Sequence, residues 1–457
     1  MTEAGSNWIK FYRKINYFHR QINHLASQLI PINASVLEIG SKGGEILNSL
    51  DNVRKIGMEE DKDFYNLARR QFPKTKIVNK WAGLSSKKFD YILLTHSLST
   101  SADVQKLIHR LKKHCHSKTR IVVFYFNFFW KPVLDLAEKL NLKRSETIQP
   151  NWLSTSDVHN LFYLESFNEV SSGKNILSPI NLGQMSTFLN KFISQLPGFS
   201  SLDLINYSVY APLPSIRNYS VSVIIPARNE AGNMKGILDK LPFLGRKMEV
   251  IFIEGGSRDD TYFAIKKEIS NYHGLLTCRL IKQKGQGKGD AVRLGFSQAV
   301  NELLVILDAD LTVDPQELPK FYNALATGKG EFVMGSRLVY PMEKLAMRNL
   351  NFLGNKFFSL AFSFLLGQKI KDTLCGTKAI LREDYRKIER NRHLFGNFDP
   401  FGDFDLIFGA AKLNLRILEI PIRYKQRSYG KTNISRFQHG LLLLQMTIFA
   451  ARRIKFI

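Results

Sequence analysis

The hydrophobic pattern of this chain starts twice. From Ala34 it reads the apolar run "SVLEI", a glycine loop, a helical stretch, "VRKIGME", the helical "DFYNLARRQF", then "FDYILLTHS" and "RIVVFYFNFF". From Val221 the alternation begins again with "VSVIIPA", "MEVIFIE", "LTCRLIKQ" and "LLVILDAD", separated by the helix-like "GNMKGILDKL", "TYFAIKKEI" and "GKGDAVRLGFSQAV". Short apolar runs alternating with helical stretches specify parallel sheets with crossover helices, so the expected class is α/β, two Rossmann-like domains in tandem. A chain of 457 residues has room for both, since single cores rarely grow past about 250 to 300 residues. The expected boundaries are a first domain over 1–200, a linker over 201–220 where Pro and Asn gather without helical period, a second domain over 221–435, and a basic amphipathic tail helix over 436–457.

Lys and Arg exceed Asp and Glu by 25, which favours an anionic partner: nucleic acid, an anionic membrane surface or a phosphorylated substrate. The basic residues cluster beside apolar helices rather than in an arginine-rich arm, so nucleic acid is the remote alternative and no nucleic-acid partner is expected. From Pro421 to Ile457 there are eight Lys/Arg and no Asp or Glu, flanking "GLLLLQMTIFAA". That run is short of the roughly 20 apolar residues needed to span a bilayer and suits a helix lying in its interface, or one packed as core. Cys115, Cys278 and Cys375 are too few and scattered for a disulfide framework or zinc site. The N-terminus lacks the apolar core of a signal peptide. The expected location is cytoplasmic, peripherally associated with the inner face of the membrane.

Ligands of open parallel sheets sit at the carboxyl ends of the strands, and here three such ends carry "PARNE", "EGGSRDD" and "DADLT". Asp308 and Asp310 follow a four-residue apolar run. Carboxylates there need a cation or a solvated exit, because burying one alone costs several kcal/mol. Oxygen-only ligands suit Mg²⁺ or Mn²⁺. The alternative is a solvated turn in which Asp310 or Thr312 caps a helix.

The ordered set "VSVIIPARNEAGNM", "EVIFIEGGSRDDT", "GKGDAVRLGF" and "DADLTVDP" resembles the family-two glycosyltransferases, in the branch around dolichyl-phosphate mannosyltransferase, from Val221 to about Lys455. The resemblance implies a nucleotide-diphospho-sugar transferase (GT-A) fold. It also implies inverting transfer of a hexose from UDP- or GDP-hexose, with Asp308 and Asp310 on the divalent metal. It implies that Pro226, Ala227, Asn229, Glu230, Glu254, Gly256, Ser257, Lys288, Asp290 and Asp308 bind the donor. Glu254-Gly255-Gly256-Ser257 stands where the family usually has Asp-Asp-Gly-Ser, which leaves the base open. By the same resemblance Arg337, in "VMGSRLV", faces the acceptor phosphate, and Asp372 and Gly376, in "DTLCGTKAI", form the acceptor-side loop.

"FDPFGDFDL" places Asp403 at the position of the family's general base, with Asp405 beside it. A hydroxyl acceptor needs such a base, whereas a lipid phosphate is already ionised and needs positive charge. Asp403 favours a glycan or lipid hydroxyl and Arg337 favours polyprenyl phosphate, the expected acceptor.

In the first domain "VLEIGSKGGEIL" resembles the first motif of class I S-adenosylmethionine-dependent methyltransferases, over roughly Ala34 to Phe129. By that resemblance Glu38, Gly40, Gly44 and Glu59 are the cofactor-binding residues. Lys42 stands where the middle glycine belongs, so a degenerate fold is expected, with S-adenosylmethionine and a bifunctional enzyme as the alternative.

Overall fold

The computed structural model describes residues 16–139, 151–213, 216–340, 349–392, 402–427, 429 and 436–455. The chain divides into two compact units, Met1–Leu213 and Pro214–Lys455. Each is built on a seven-stranded sheet.

The first sheet contains β1 (Val36–Ile39), β2 (Lys55–Met58), β3 (Lys76–Val78), β4 (Phe89–Leu94), β5 (Cys115–Phe126), β6 (Phe167–Asn175) and β7 (Ile205–Pro212), in the order 3-2-1-4-5-7-6. The pairings run parallel from β3 to β5, and β7 then lies antiparallel to both β5 and β6. All four residues of β1 are buried, as expected of a strand covered on both faces. Helix starts follow local chemistry. Asp61 caps Lys62–Gln71, Asp103 caps Val104–Leu111, and Ser154 with Asp157 forms a capping box on Thr155–Leu164.

The expected linker over 201–220 is corrected here, because Ile205–Pro212 is β7, held between β5 and β6. Its turn-formers are at positions where a strand tolerates them: Pro212 is the last residue, and Asn206 is near the start. Between them Tyr210 is fully buried, stacked on Phe162 with ring centroids 3.9 Å apart.

The second sheet contains β8 (Val221–Ala227), β9 (Met248–Glu254), β10 (Thr277–Lys282), β11 (Leu303–Ile306), β12 (Phe332–Ser336), β13 (Lys378–Leu381) and β14 (Ile417–Pro421), in the order β10-β9-β8-β11-β13-β12-β14. β13 is antiparallel to β11 and β12, and the remaining pairings are parallel. The expected helix over "GNMKGILDKL" is instead a 3-10 turn, Ala231–Asn233, followed by further turns, since Gly236 takes φ +69° and breaks the helical path. Tail helix Arg436–Ala450 belongs to the second unit and packs on helix Asn349–Leu366, with Met446 and Ala450 in the same buried cluster as Phe358 and Phe362. Leu441, Leu444 and Ile448 are exposed. One side of this helix is therefore core. Lys431 and the side chains of Arg436 and Arg453 lie outside the described residues.

If β7 is a core strand, Tyr210→Ala should destabilise the first unit by about 3–5 kcal/mol, the usual cost of truncating a fully buried aromatic. Urea unfolding followed by circular dichroism measures this. A linker residue would give almost no change.

Candidate active site at the carboxyl ends of the second sheet

The loops after β8 and β9 are stitched together by side-chain to backbone bonds. Gly255 N donates to Ala227 O (2.9 Å), the Asn229 amide to Ser257 Oγ (3.0 Å), and the Arg258 amide to Asn229 Oδ1 (2.8 Å). Glu254 is buried and its Oε1 accepts from Ser257 N at 2.6 Å, so it shapes its own turn, with Gly256 at φ +68°. Pro226 and Ala227 close β8 beside Ile253 and Glu254. In the next loop Gln283 Nε2 donates to Gly287 O (2.9 Å) and Asp290 Oδ2 (2.8 Å), which folds the glycine-rich segment onto the first turn of helix Lys288–Gln298.

Past β11 the two aspartates meet different cations. Lys288 Nζ is 2.5 Å from Asp308 Oδ1. Burial works to raise the Asp308 carboxyl, but Lys288, with Lys378 and Arg337 behind it, holds it below the usual aspartate range. Gly376 is the wall of this pair: a Cβ there would come within 2.1 Å of Asp308 Oδ2 and 2.2 Å of Lys288 Nζ. Asp310 Oδ1 accepts from Thr312 N and Oγ1, at 3.1 and 2.8 Å, and its Oδ2 accepts from Arg427 Nη2 at 2.6 Å. The helix cap proper is Asp314. Two non-glycine residues here hold left-handed backbone, Leu311 at φ 51° and Asn229 at φ 58°. For leucine such a conformation costs about 1–2 kcal/mol, strain of the kind that collects at functional sites.

Arg427 was read in the sequence only as part of a basic tail. Its Nη1 also donates to Glu230 Oε1 (2.8 Å), so one guanidinium joins the β8 loop to the Asp310 loop. Glu230, buried and bonded also by Asn233 Nδ2 (2.7 Å), braces that arginine. The returning segment is fixed by a bridge between Val313 and Tyr424 and by Lys425 N donating to Thr312 O (2.9 Å). No local pattern marks this, since Arg427 lies 117 residues from Asp310.

Arg337 is not a surface ion pair. Its Nε and Nη2 donate to Asp372 Oδ2 and Oδ1 at 2.7 and 2.8 Å, its backbone N donates to the same carboxylate, and Asn355 Nδ2 adds a bond at 2.8 Å. Burial opposes ionisation of Asp372, but this cationic fork pulls it down to about 2. Asp405 is buried with Arg293 (3.4 Å) and Arg392 (3.3 Å) at the same oxygen, tying helix Asp403–Lys412 to helix Lys288–Gln298. Asp403 opens that helix after Gly402, whose α-carbon side lies against Gly289; the side chain of Asp403 and residues 393–401 lie outside the described residues.

Among the described residues no cluster of three or more His, Cys, Asp or Glu could hold a metal alone. Two hard-oxygen carboxylates fit Mg²⁺ or Mn²⁺ when a diphosphate supplies further oxygens. Lys288 and Arg427 mark where positive charge is wanted, and the Asp308–Lys288 pair packs directly against the bare backbone of Gly376.

In the first unit Gly40 and Gly44 adopt φ +70° and +82°, and Lys42 follows with φ 42°. Glu59 accepts from Lys42 N at Oε2 (2.7 Å) and from Asp61 N at Oε1 (3.1 Å). Glu38 is fully buried, bonded at Oε1 by Thr95 Oγ1 (3.0 Å), and burial pushes it up to about 8. Burial, then the Lys42 charge, lowers His19 to about 4 and also lowers His96. The loop keeps its bends and carries Lys42 where the resemblance has its middle glycine.

Residues 222–389 match the glycosyl transferase family 2 model, and residues 20–185 match that of the methionine biosynthesis protein MetW. A dolichyl-phosphate hexose transferase of Haloferax volcanii is 32% identical over 196 residues, covering 42% of this chain and 77% of that protein. A dolichyl-phosphate beta-glucosyltransferase of Drosophila melanogaster is 30% identical, covering 45% and 67%. Among solved structures, glucosyl-3-phosphoglycerate synthase of Mycobacterium tuberculosis, crystallised with Mn²⁺ and UDP, shares 20% identity over 52% of this chain and 80% of that one, with a TM-score of 0.38. The chain belongs to glycosyl transferase family 2 and is a glycosyltransferase whose second unit has the GT-A fold, preceded by a methyltransferase-like unit.

Two substitutions test this geometry. Gly376→Ala should lower kcat/KM for nucleotide release about tenfold or more, because its methyl displaces the Asp308–Lys288 pair. Arg427→Ala should cost about 1–3 kcal/mol near pH 8, because it leaves the buried Glu230 carboxylate without its half-buried cationic partner. Burial raises the Glu230 carboxyl and Arg427 opposes that rise. A raised carboxyl binds more protons folded than unfolded, so its stability falls as pH climbs through that window. Removing Arg427 widens the window, and the variant's deficit in urea unfolding should be smaller at pH 5 than at pH 8.

Proposed function

We propose that the second unit transfers a hexose, with inversion, from a nucleotide diphosphate sugar to a polyprenyl phosphate. The observation that carries this is the set of cations gathered, among the described residues, around Asp308 and Asp310. Lys288, Arg337, Lys378 and Arg427 surround Asp308 and Asp310, and Asp405 is locked between two arginines. Such a site suits two anionic substrates better than a hydroxyl that must lose a proton. Its relatives among the dolichyl-phosphate transferases agree with it.

In this reading the stitched loops of Pro226, Ala227, Asn229, Gly256 and Ser257 receive the nucleoside. Lys288 and Arg427 are within reach of the diphosphate. Asp308 and Asp310 would hold Mg²⁺ or Mn²⁺, which supplies charge neutralisation for the leaving group. An acceptor phosphate oxygen attacks the anomeric carbon, the bond from that carbon to the diphosphate oxygen breaks, and the nucleoside diphosphate leaves with the electron pair. No proton moves, so no base is needed. Arg337, oriented by Asp372, faces the acceptor phosphate, and Gly376, having no side chain, lets the Asp308–Lys288 pair pack against it. The enzyme works peripherally at the cytosolic face of a membrane; among the described residues no helix is long and apolar enough to cross one. The first unit serves as a fold rather than as a methyltransferase, because Lys42 supplies the wrong charge for the cofactor.

Purified enzyme, Mn²⁺ and radiolabelled UDP- or GDP-hexose, incubated with polyprenyl phosphate, should yield free nucleotide diphosphate and an acid-labile sugar lipid. Asp310→Ala should lower the rate about a hundredfold, the scale of losing one electrostatic contact to the reacting charge. Asp403→Asn should keep it within about tenfold, since a phosphate needs no base. An acid-stable product abolished by Asp403→Asn would instead establish a hydroxyl acceptor.

A further inference from the structure

In the first unit, the segment after β6 forms helix Gln184–Phe188 and continues as a wider π turn, Leu189–Ile193. Its faces are reversed. Ser186 and Ser194 are 0% exposed and Asn190 is 5% exposed, whereas Met185 (59%), Phe188 (50%), Phe192 (44%) and Leu196 (38%) face outward. The polar positions recur every four residues and the apolar ones at spacings of three and four, so each set forms one stripe. A surface helix ordinarily turns its apolar stripe to the core.

The inward polar stripe is fixed in place. Asn190 accepts from Ser178 N (2.7 Å) and donates to Ser178 O (2.8 Å) and Tyr17 Oη (3.1 Å). Ser194 Oγ donates to Asp203 Oδ2 (2.9 Å), and Ser186 Oγ bonds Leu182 N and Gly183 O at 3.0 Å each. Rotating the helix to hide its phenylalanines would strand these buried groups, at about 1–3 kcal/mol apiece. The apolar surface continues past the helix: Phe199 is exposed, and the neighbouring exposed Phe129 is in a turn tied to this region through Asn127 Nδ2, which donates to Ser201 O and Asp203 O at 2.9 and 2.8 Å.

We infer that this outward stripe docks the first unit into the headgroup region of an anionic bilayer. Between Val170 and Leu202 the chain carries Lys174 and Lys191 and no Asp or Glu, in a protein with a net charge of +25. Aromatic, Met and Leu side chains on a segment that carries two lysines and no acid complement a lipid surface with negative headgroups. The choice of lipid as occupant rests partly on the proposed lipid acceptor.

The test is flotation of the full chain with vesicles of equimolar phosphatidylcholine and phosphatidylglycerol. Met185→Ser combined with Phe188→Ser should weaken partitioning about tenfold or more, with unchanged Tm since both residues are exposed. Phe263→Ser, which removes an exposed phenylalanine from the second unit, should leave it unchanged. Vesicle binding by the double variant equal to wild type, or no binding by wild type, overturns the inference. So does a wild-type dimer that becomes monomeric in the double variant without change in flotation, because a second copy then covers the stripe. Transfer to polyprenyl phosphate in detergent micelles is read separately. Stripe-dependent flotation without any such transfer retains the docking surface and removes the acceptor reading.

Discussion

A carboxylate at the end of a buried parallel strand must be met by positive charge, and the second unit is arranged around that requirement. Asp308 and Asp310 follow the fully buried β11, and each is answered by a different cation, Lys288 from the third crossover and Arg427 from the far end of the fold. Both assignments have structural consequences. Lys288 can reach Asp308 because Gln283 folds the glycine loop back on itself and because Gly376 has no side chain in the way. Arg427 can reach Asp310 because the chain after β14 returns along Thr312 and Val313. Charges held this way are worth more for orientation than for stability, since desolvation cancels much of the attraction of a buried pair.

Such an arrangement leaves the site poised. On the proposed reading, each carboxylate that would hold a metal is paired with a cation that would pass to phosphate, and exchange of partners on donor binding would keep the charges compensated. Arg337 differs, because Asp372 is in turn bonded by Asn355 and its backbone N–H donates to Glu419 (2.8 Å). A guanidinium in that network has one orientation, which suits recognition of a fixed anion better than exchange.

What the sequence displayed and what it hid follow a physical division. The motif residues were legible because strands end where apolar runs end, and Asp308, Glu254 and Asn229 directly follow or close such runs. Their roles were less legible: Glu254 and Glu230 read as ligand groups, yet their carboxylates are engaged by Ser257 N and by Arg427. Arg427 and the Arg337–Asp372 fork depend on contacts between distant segments, for which no spacing rule exists. β7 was missed because an antiparallel strand entered through Asn206 and left through Pro212 shows the same turn-formers as a linker; the difference lies in the burial of Tyr210 and Val209, which is a property of the assembled sheet. The tail's apolar run was visible as a helix, but its division between buried Met446 and exposed Leu444 was not, since nearly every position in it is apolar.

The methyltransferase-like unit keeps the bends of its glycine turn around a lysine. Gly40 and Gly44 still take left-handed backbone, and the β1 loop still meets Glu59, because those features close the turn whether or not a nucleotide is present. Lys42 accepts an unfavourable φ in that turn and brings an ammonium group whose field is felt by His19 and His96. The same unit exposes phenylalanines on a helix whose serines and asparagine are buried and bonded. Neither feature adds to the stability of the unit, and the second is the surface inferred above to dock on lipid. Because Ser186, Asn190 and Ser194 are held inward by bonds to Gly183, Ser178 and Asp203, the helix turns its apolar face out without any change in the hydrophobic core.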